Sequence, residues 1–233
     1  MNIPRILSGA ALKYIAVGSM LADHVNKAII LRVLSEDSAL WLQAISSVFS
    51  AVGRFAFPIF FFMLVEGFYN TRNRWRYLRN LILFAIVSEL PFDLFMWSDH
   101  LLAYCQRQNI YFSLAFALCV IWLVDRVKEK GRGGLALAML ICLAGCLVAW
   151  LGRVDYGAKA ILIILAFYFF RSNRLLASGM GYLVVFRTVW ALPSFAALNL
   201  YNGQRGRQNK WLFYWFYPAH LLLLGILRLI FKI

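Results

Sequence analysis

Acidic residues are scarce in this sequence. Ten aspartates and glutamates stand against 24 lysines and arginines, which gives a formal net charge of +14 over 233 residues. In a soluble chain such an excess would suggest a nucleic-acid-binding protein. Here most of the basic residues lie in short loops between apolar runs, where the cytoplasmic loops of membrane proteins carry them. We therefore expect no nucleic-acid partner.

Cysteine is also scarce, and the four cysteines have no informative spacing. Cys142 and Cys146 lie one turn apart in one apolar run, Cys119 lies within another, and Cys105 lies in a loop. This pattern predicts neither a disulfide framework nor a metal site. The chain also lacks internal repeats and low-complexity tracts. Because charged residues interrupt the first apolar run, we expect no cleavable signal peptide.

Apolar residues dominate the sequence instead. They make up 63% of the chain, and the mean hydropathy is +0.71, whereas soluble domains are about 45–50% apolar. The apolar runs are continuous rather than alternating over about ten residues, so a transmembrane β-barrel is excluded. The sequence predicts an all-α, polytopic membrane helical bundle that forms a single integral-membrane domain over residues 1–233.

The apolar windows predict about nine membrane crossings. They lie at residues 10–31, 54–69, 77–97, 109–125, 134–151, 156–171, 175–189, 190–202 and 211–231. The run 39–52 is expected to form an interfacial helix that leads into Arg54. A full span needs about 20 apolar residues, and two of the later windows are shorter. Eight crossings therefore stay open as an alternative to nine.

The loop charges predict the orientation of these crossings. Most lysines and arginines lie in four loops, around 70–79, 126–132, 171–174 and 203–210. The opposite loops carry fewer basic residues and several acidic ones. The positive-inside rule places the four basic loops in the cytoplasm. With nine crossings, the N-terminus is then also cytoplasmic.

A polar pair, Asp23 and His24, interrupts the first predicted helix. Ser19, Asp23, Asn26 and Lys27 fall on one face of that helix. Such a polar stripe in a membrane helix must face protein or water, because exposure to lipid is costly. One interpretation is a histidine that accepts a proton and is oriented by the neighbouring carboxylate. The alternative is an ion pair between Asp23 and Lys27 that only fixes helix packing.

Arg54 and His220 are further ionisable groups near the membrane interior. Arg54 could offset the charge of Asp23 or bind a carbonyl group through its planar guanidinium, or it could simply extend to the interface. His220 follows Pro218 and lies one turn beyond Tyr217. We expect Asp23, His24, Arg54 and His220 to line one cavity, since a shared polar environment removes the cost of burying each of them.

Other polar residues in the predicted helices give weaker signals. Glu66 is expected to pair with Arg72 or Arg74 if it does not bind substrate. Glu89 and Asp93 lie on one helix face, where they could bind a cation or be neutralised by arginines of neighbouring helices. Asn109 brings an amide group to the end of the fourth predicted crossing.

The order of the motifs resembles that of a known family. Asp23-His24 is followed by Gly-Arg-Phe-Ala-Phe-Pro-Ile-Phe at 53–60, Glu-Gly-Phe at 66–68, Tyr-Asn-Gly at 201–203 and Tyr-Pro-Ala-His at 217–220. Together these resemble the TraX family of conjugative-transfer membrane proteins, including its TrbP-like members. The resemblance covers nearly the whole chain.

The resemblance implies an acetyl-CoA-dependent N-acyltransferase of the bacterial inner membrane. Its typical members serve plasmid conjugation by acetylating the N-terminal amine of the pilin subunit. Carried over to this chain, His24 would be the general base and Asp23 would orient it, and Arg54 or His220 would stabilise the oxyanion. The residues expected to bind substrate are Glu66, Glu89, Asn109 and Tyr217, and those expected to bind the phosphates of acetyl-CoA are Arg72, Arg74 and Arg76.

Two other functions fit the same residues. One is a non-enzymatic assembly factor that acts as a chaperone for pilin in the bilayer. The other is a small proton-coupled transporter, for which intramembrane Asp, Glu and His are also typical. Transporters often contain internal repeats, and this sequence has none. An assembly factor would tolerate the loss of His24, whereas the enzyme would not.

Overall fold

The computed structural model describes residues 4–35, 38–96, 107–186 and 188–232. Within these ranges the chain is helical apart from short connections and two isolated β-bridges. The predicted all-α fold class is confirmed. Cys105 lies outside the described residues. So do His100, which the sequence predicts in a solvent-exposed loop, Gln106, predicted beside the fourth crossing, and Arg187, predicted in a loop on the non-cytoplasmic side.

The described helices follow one another in a simple order. They are α1 (Gly9–Val25), a π-helical segment (Asn26–Ile30), α2 (Leu31–Val33), α3 (Leu40–Gly53), α4 (Ala56–Asn70), α5 (Arg74–Met96), α6 (Ile110–Val127), α7 (Gly131–Leu151), α8 (Ala158–Phe169), α9 (Arg174–Val184), a 3₁₀ turn (Val189–Ala191), α10 (Leu192–Asn199) and α11 (Lys210–Phe231).

Four helical stretches of the described chain are long and apolar enough to cross a membrane: Leu40–Asn70, α6, α7 and α11. The first of these joins α3 to α4, so the predicted interfacial run 39–52 is helical and continues into the next predicted crossing. Helices α9 and α10 have 11 and 8 residues. They are about 17 and 12 Å long at 1.5 Å per residue, against about 30 Å of hydrocarbon. The count of nine crossings and the orientation stay predictions.

The chain divides into two compact units, each described here by itself. Unit 1 comprises Met1–Phe60, Val87–Tyr104 and Arg187–Ile233, and unit 2 comprises Phe61–Ile86 and Cys105–Phe186. Helices α4 and α5 each contribute residues to both units. The single domain predicted over 1–233 stays a prediction.

Close contact between α1 and α3 organises unit 1. Ser19 Oγ donates a hydrogen bond to the Val52 carbonyl at 2.6 Å, and Asn26 Nδ2 donates to Ser50 Oγ at 2.8 Å. A Cβ atom at Gly53 would lie 2.5 Å from Cβ of Asp23, so only glycine fits there without movement. The polar stripe predicted on the first helix therefore faces protein.

Helix α8 forms the centre of unit 2. Most of its side chains between Ala160 and Tyr168 are buried, as expected of an apolar helix with neighbours on several sides. Helix α7 packs closely beside it and α6, because Gly145 brings its backbone against Val120. The ends of α4, α6 and α8 that precede the basic loops lie together, joined by the ion pairs and hydrogen bonds described below.

Candidate functional site

The two histidines predicted to share a site are in direct contact in unit 1. His24 Nδ1 lies 2.7 Å from His220 Nε2, and the two ring planes differ by only 9°. The residues are 196 positions apart in the chain, and they come from α1 and α11. His220 is buried and His24 is half-buried. The structure thus brings together two of the four residues expected to line one cavity.

The hydrogen-bond partners assign the protons of this pair. His220 Nδ1 lies 2.6 Å from the Phe216 carbonyl oxygen, which can only accept, so Nδ1 carries the proton. In the neutral ring His220 Nε2 is then an acceptor, and His24 Nδ1 must donate to it. His24 Nε2 is left with a lone pair and makes no hydrogen bond to the described residues. It is therefore the basic atom of the pair.

Aromatic rings surround the histidine pair. The Phe95 ring centre lies 5.0 Å from that of His24, and the Phe216 ring is stacked on His220 at 4.6 Å. Tyr217, a predicted substrate-binding residue, is buried with its ring 5.8 Å from His220 and 6.3 Å from His24. Such apolar surroundings keep water away and strengthen the remaining hydrogen bonds.

Asp23 does not orient His24 as expected. Its carboxylate pairs with Lys27 at 2.5 Å, one turn along the same helix, and its side chain lies against Gly53. The alternative interpretation of Asp23, an ion pair that fixes packing, describes its contacts. The partner that holds the His24 ring is His220 instead.

Arg54 lies at the turn between α3 and α4. Its side chain is exposed and makes no hydrogen bond or ion pair with the described residues. No hydrogen bond or cation–π contact joins it to the histidine pair. Its five N–H groups are free to bind an external ligand.

A π-helical segment follows His24 closely, and sequence reasoning missed it. It begins at Asn26, and such segments are frequent at functional sites. Asn26 is fully buried, and its Oδ1 has no hydrogen-bond partner among the described residues. No pattern in the sequence distinguishes these residues from an α-helix, although Asn26 belonged to the predicted polar stripe.

Glu66 makes an ion pair that differs from the expected one. Arg171 Nε donates to Glu66 Oε1 at 2.9 Å, whereas Arg72 is exposed and Arg74 pairs with Asp125 at 2.8 Å. The predicted pairing within the neighbouring loop is wrong, because the α8–α9 loop supplies a cation at the end of α4. Arg76 is exposed as well, so two of the three predicted phosphate-binding arginines have side chains that make no hydrogen bond or ion pair with the part of the chain that the structure describes.

Asn109 and Glu89 are the two remaining residues that were predicted to bind substrate. Asn109 is fully buried at the start of α6, where its Oδ1 accepts from Tyr111 N at 3.0 Å and its Nδ2 donates to the Ala85 carbonyl at 2.8 Å. The first contact is that of a helix cap, and the second joins the start of α6 to α5. Glu89 and Asp93 are half-buried on α5 in unit 1.

A second polar network lies in unit 2 around Asp125. The Tyr168 hydroxyl donates to Asp125 Oδ1 at 2.7 Å, and Lys128 Nζ donates to the same hydroxyl at 2.7 Å. A cavity of about 290 Å³ opens beside it, and we call it the basic cavity. It is lined by Tyr69, Lys128, Tyr168, Phe169, Arg171 and Ser172. The sequence analysis predicted that the basic loops lie on one side of the membrane. It did not predict that aromatic side chains lie between their cations.

The comparison with family models confirms the family to which the motifs pointed. The family model described as TraX protein matches residues 8–228. A curated protein of Dichelobacter nodosus, described as "Probable fimbrial assembly protein FimC, serogroup H1", is 27% identical over 247 residues, covering 93% of this chain and 94% of that protein. No solved structure matches the chain.

Proposed function

Since the chain belongs to the TraX family, we propose that it is a membrane-embedded acetyltransferase of pilus assembly. It would transfer the acetyl group of acetyl-CoA to the N-terminal amine of a pilin subunit. The observation that carries this proposal is the hydrogen-bonded pair of His24 and His220, with one ring nitrogen of His24 available as a base.

The histidine pair would act as follows. His24 Nε2 removes a proton from the amine as its nitrogen attacks the thioester carbonyl, giving a tetrahedral intermediate. When the C–S bond breaks, the imidazolium returns the proton to the departing thiolate, so the enzyme ends unchanged. During the step the positive charge on His24 is stabilised by the hydrogen bond from Nδ1 to His220, a charge-assisted bond of roughly twice the neutral strength.

Arg54 is the proposed oxyanion-stabilising group. Both ring nitrogens of His220 are occupied by Phe216 and His24, so His220 has no donor left for a substrate and acts as a positioning residue. The exposed guanidinium of Arg54 has all its donors available. In this proposal the bound substrate holds the guanidinium in place, and a donor held at the developing oxyanion contributes about 3–4 kcal/mol of transition-state stabilisation.

The co-substrate and the membrane topology belong to the same proposal. Acetyl-CoA carries several phosphates. Arg72, in the connection between α4 and α5, and Arg76, in the first turn of α5, have exposed guanidinium groups that make no hydrogen bond or ion pair with the described residues. Arg74 begins α5 between them. We place this loop and the N-terminus in the cytoplasm, where acetyl-CoA is made, and the protein in the bacterial inner membrane. Glu89 and Tyr217 stay candidates for binding the acceptor.

A second candidate function is assembly of pili without catalysis. It is favoured by the D. nodosus relative, whose description names fimbrial assembly and no reaction. In that case the histidine pair would only stabilise the contact between α1 and α11.

The mass of pilin distinguishes the two functions. Pilin is produced with and without this protein, purified from the membrane and measured by intact-mass spectrometry with N-terminal fragmentation. The enzyme adds one acetyl group at the N-terminal amine. An unchanged pilin mass, together with normal pilus assembly, would leave the assembly factor as the function.

A further inference from the structure

The geometry of unit 2 points to a second ligand site: we infer that the basic cavity binds the phosphate group of an anionic ligand. The inference rests on four features of the cavity, namely its open volume, its surplus of positive charge, its free donors and its aromatic wall. It does not depend on the proposed acetyl transfer.

The charges around the basic cavity do not cancel. Asp125 is shared by Arg74 at 2.8 Å and Lys128 at 3.2 Å, and Glu66 neutralises Arg171. Three cations thus face two carboxylates in the connected network. If these side chains served only to stabilise the fold, a third carboxylate would balance the third cation. Instead the surplus positive charge lies beside an open cavity, where it attracts an anion.

The cations that line the basic cavity also have hydrogen-bond donors to spare. Lys128 Nζ has three N–H groups, and its contacts are to Asp125 and Tyr168. Arg171 uses Nε and Nη2 toward Glu66, and its Nη1 donates to none of the described residues. Ser172 adds an exposed hydroxyl. Phosphate oxygens accept several such bonds at once.

Aromatic side chains form the rest of the wall. The Tyr69 and Tyr168 rings are stacked with centres 5.9 Å apart, and the Arg171 guanidinium lies 4.3 Å above the Tyr69 ring. These contacts hold Arg171 in place, since the ring face attracts the cation. The exposed rings of Tyr69 and Phe169 offer apolar surface beside the phosphate, for a base or for the glycerol and acyl portion of a lipid.

A phosphate on such a ligand has two sources, a soluble nucleotide or an anionic phospholipid. The test uses the full-length protein purified in detergent, with ADP and phosphatidylglycerol as probes. Affinity for ADP is measured by thermophoresis, and retention of phosphatidylglycerol by native mass spectrometry. Each probe is tested against Lys128→Gln, which leaves Asp125 paired with Arg74, and against Ser172→Asp, which removes no existing charge and adds a carboxylate that repels phosphate.

Lys130→Gln is the matched control. It lowers the net charge by the same amount, on an exposed side chain of the same loop as Lys128 that does not line the cavity. We expect both cavity variants to weaken one probe by about tenfold, the factor that corresponds to 1.4 kcal/mol, and the control to change it little. An effect on ADP identifies a soluble phosphate ligand, and an effect on phosphatidylglycerol identifies a lipid headgroup. Failure of both probes to bind, or equal binding by all variants, overturns the inference.

Discussion

At the scale of single residues, the basic nitrogen of His24 is the group on which the proposed chemistry depends. Replacing His24 by alanine removes the base, and loss of a positioned general base lowers rates by about 10²–10⁴-fold. We expect a loss of this size in acetyl transfer to a peptide with the pilin N-terminus, followed by mass spectrometry. His100→Ala, in a predicted loop of the sequence, is the matched control and should keep its activity. Near-normal turnover by purified His24→Ala would contradict the assignment.

His220 can be tested as a positioning residue by comparing two substitutions. In His220→Gln the side-chain amide oxygen can accept from His24 Nδ1, as the His220 ring nitrogen does at 2.7 Å. In His220→Leu that acceptor is lost and the His24 tautomer is no longer fixed. We expect kcat to fall by about tenfold or more in the leucine variant, as for a lost hydrogen bond to a charged group, and to recover partly in the glutamine variant.

The comparison of KM values completes this test. Because His220 contacts His24 rather than substrate, KM should change little in either variant. Equal activity of the leucine and glutamine variants would mean that the hydrogen bond between His24 and His220 does not contribute to catalysis. A rise of KM alone would assign His220 to substrate binding.

At the scale of helices, the contact between α1 and α3 requires glycine at position 53. A methyl group there would meet the Asp23 side chain at 2.5 Å, and overpacking of this kind costs about 1–3 kcal/mol. Gly53→Ala should therefore lower the thermal unfolding midpoint in detergent. Gly18→Ala is the matched control within α1, since no atom other than those of its own chain neighbours and the adjacent helix backbone lies within 4 Å of its added Cβ. Equal midpoints for the two variants would show that α1 and α3 do not pack this closely.

The ion pair between Glu66 and Arg171 joins the end of α4 to the loop after α8. Glu66 is buried, whereas 40% of the Arg171 side chain is exposed, so water screens part of the pair. Arg171→Met leaves the carboxylate without its cation and should destabilise unit 2 by about 1–3 kcal/mol, below the 3–5 expected of a fully buried pair. Adding Glu66→Gln should restore much of that loss. Additive losses in the double variant would mean that the two side chains do not interact.

The positions of the helices were easier to predict than the contacts between their side chains. Continuous apolar runs locate α6, α7 and α11 within a few residues, because burial in a membrane demands such runs. The cost of lone ionisable groups predicted the meeting of His24 and His220. The partner of Glu66 could not be predicted, since many arginines compete and the chosen one lies 105 residues away. Likewise, Asp23 pairs with Lys27, one turn along the same helix, and not with His24. The sequence pattern allowed both partners and did not determine which one Asp23 contacts.

At the scale of the whole molecule, the loop charges predict which side of the membrane each connection faces. Within unit 2, ion pairs and hydrogen bonds link the end of α4, the start of α5 and the ends of α6 and α8, so the connections that follow α4, α6 and α8 lie at one end. The positive-inside rule puts that end in the cytoplasm. The start of α8, with exposed Lys159, belongs to the opposite end of that helix.

Cysteine labelling tests this orientation directly. In a cysteine-free background, single cysteines replace the exposed residues Arg72, Lys130 and Ser172, and separately Lys159. An impermeant thiol reagent added to spheroplasts should label only the Lys159→Cys protein, and the other three should react once the membrane is permeabilised. Since the three sites share one end in the structure, they must respond alike. Labelling of all three from outside would reverse the orientation, and the basic loop between α4 and α5 could then not contact cytoplasmic acetyl-CoA. Labelling of only one or two of the three would contradict the fold of unit 2 itself.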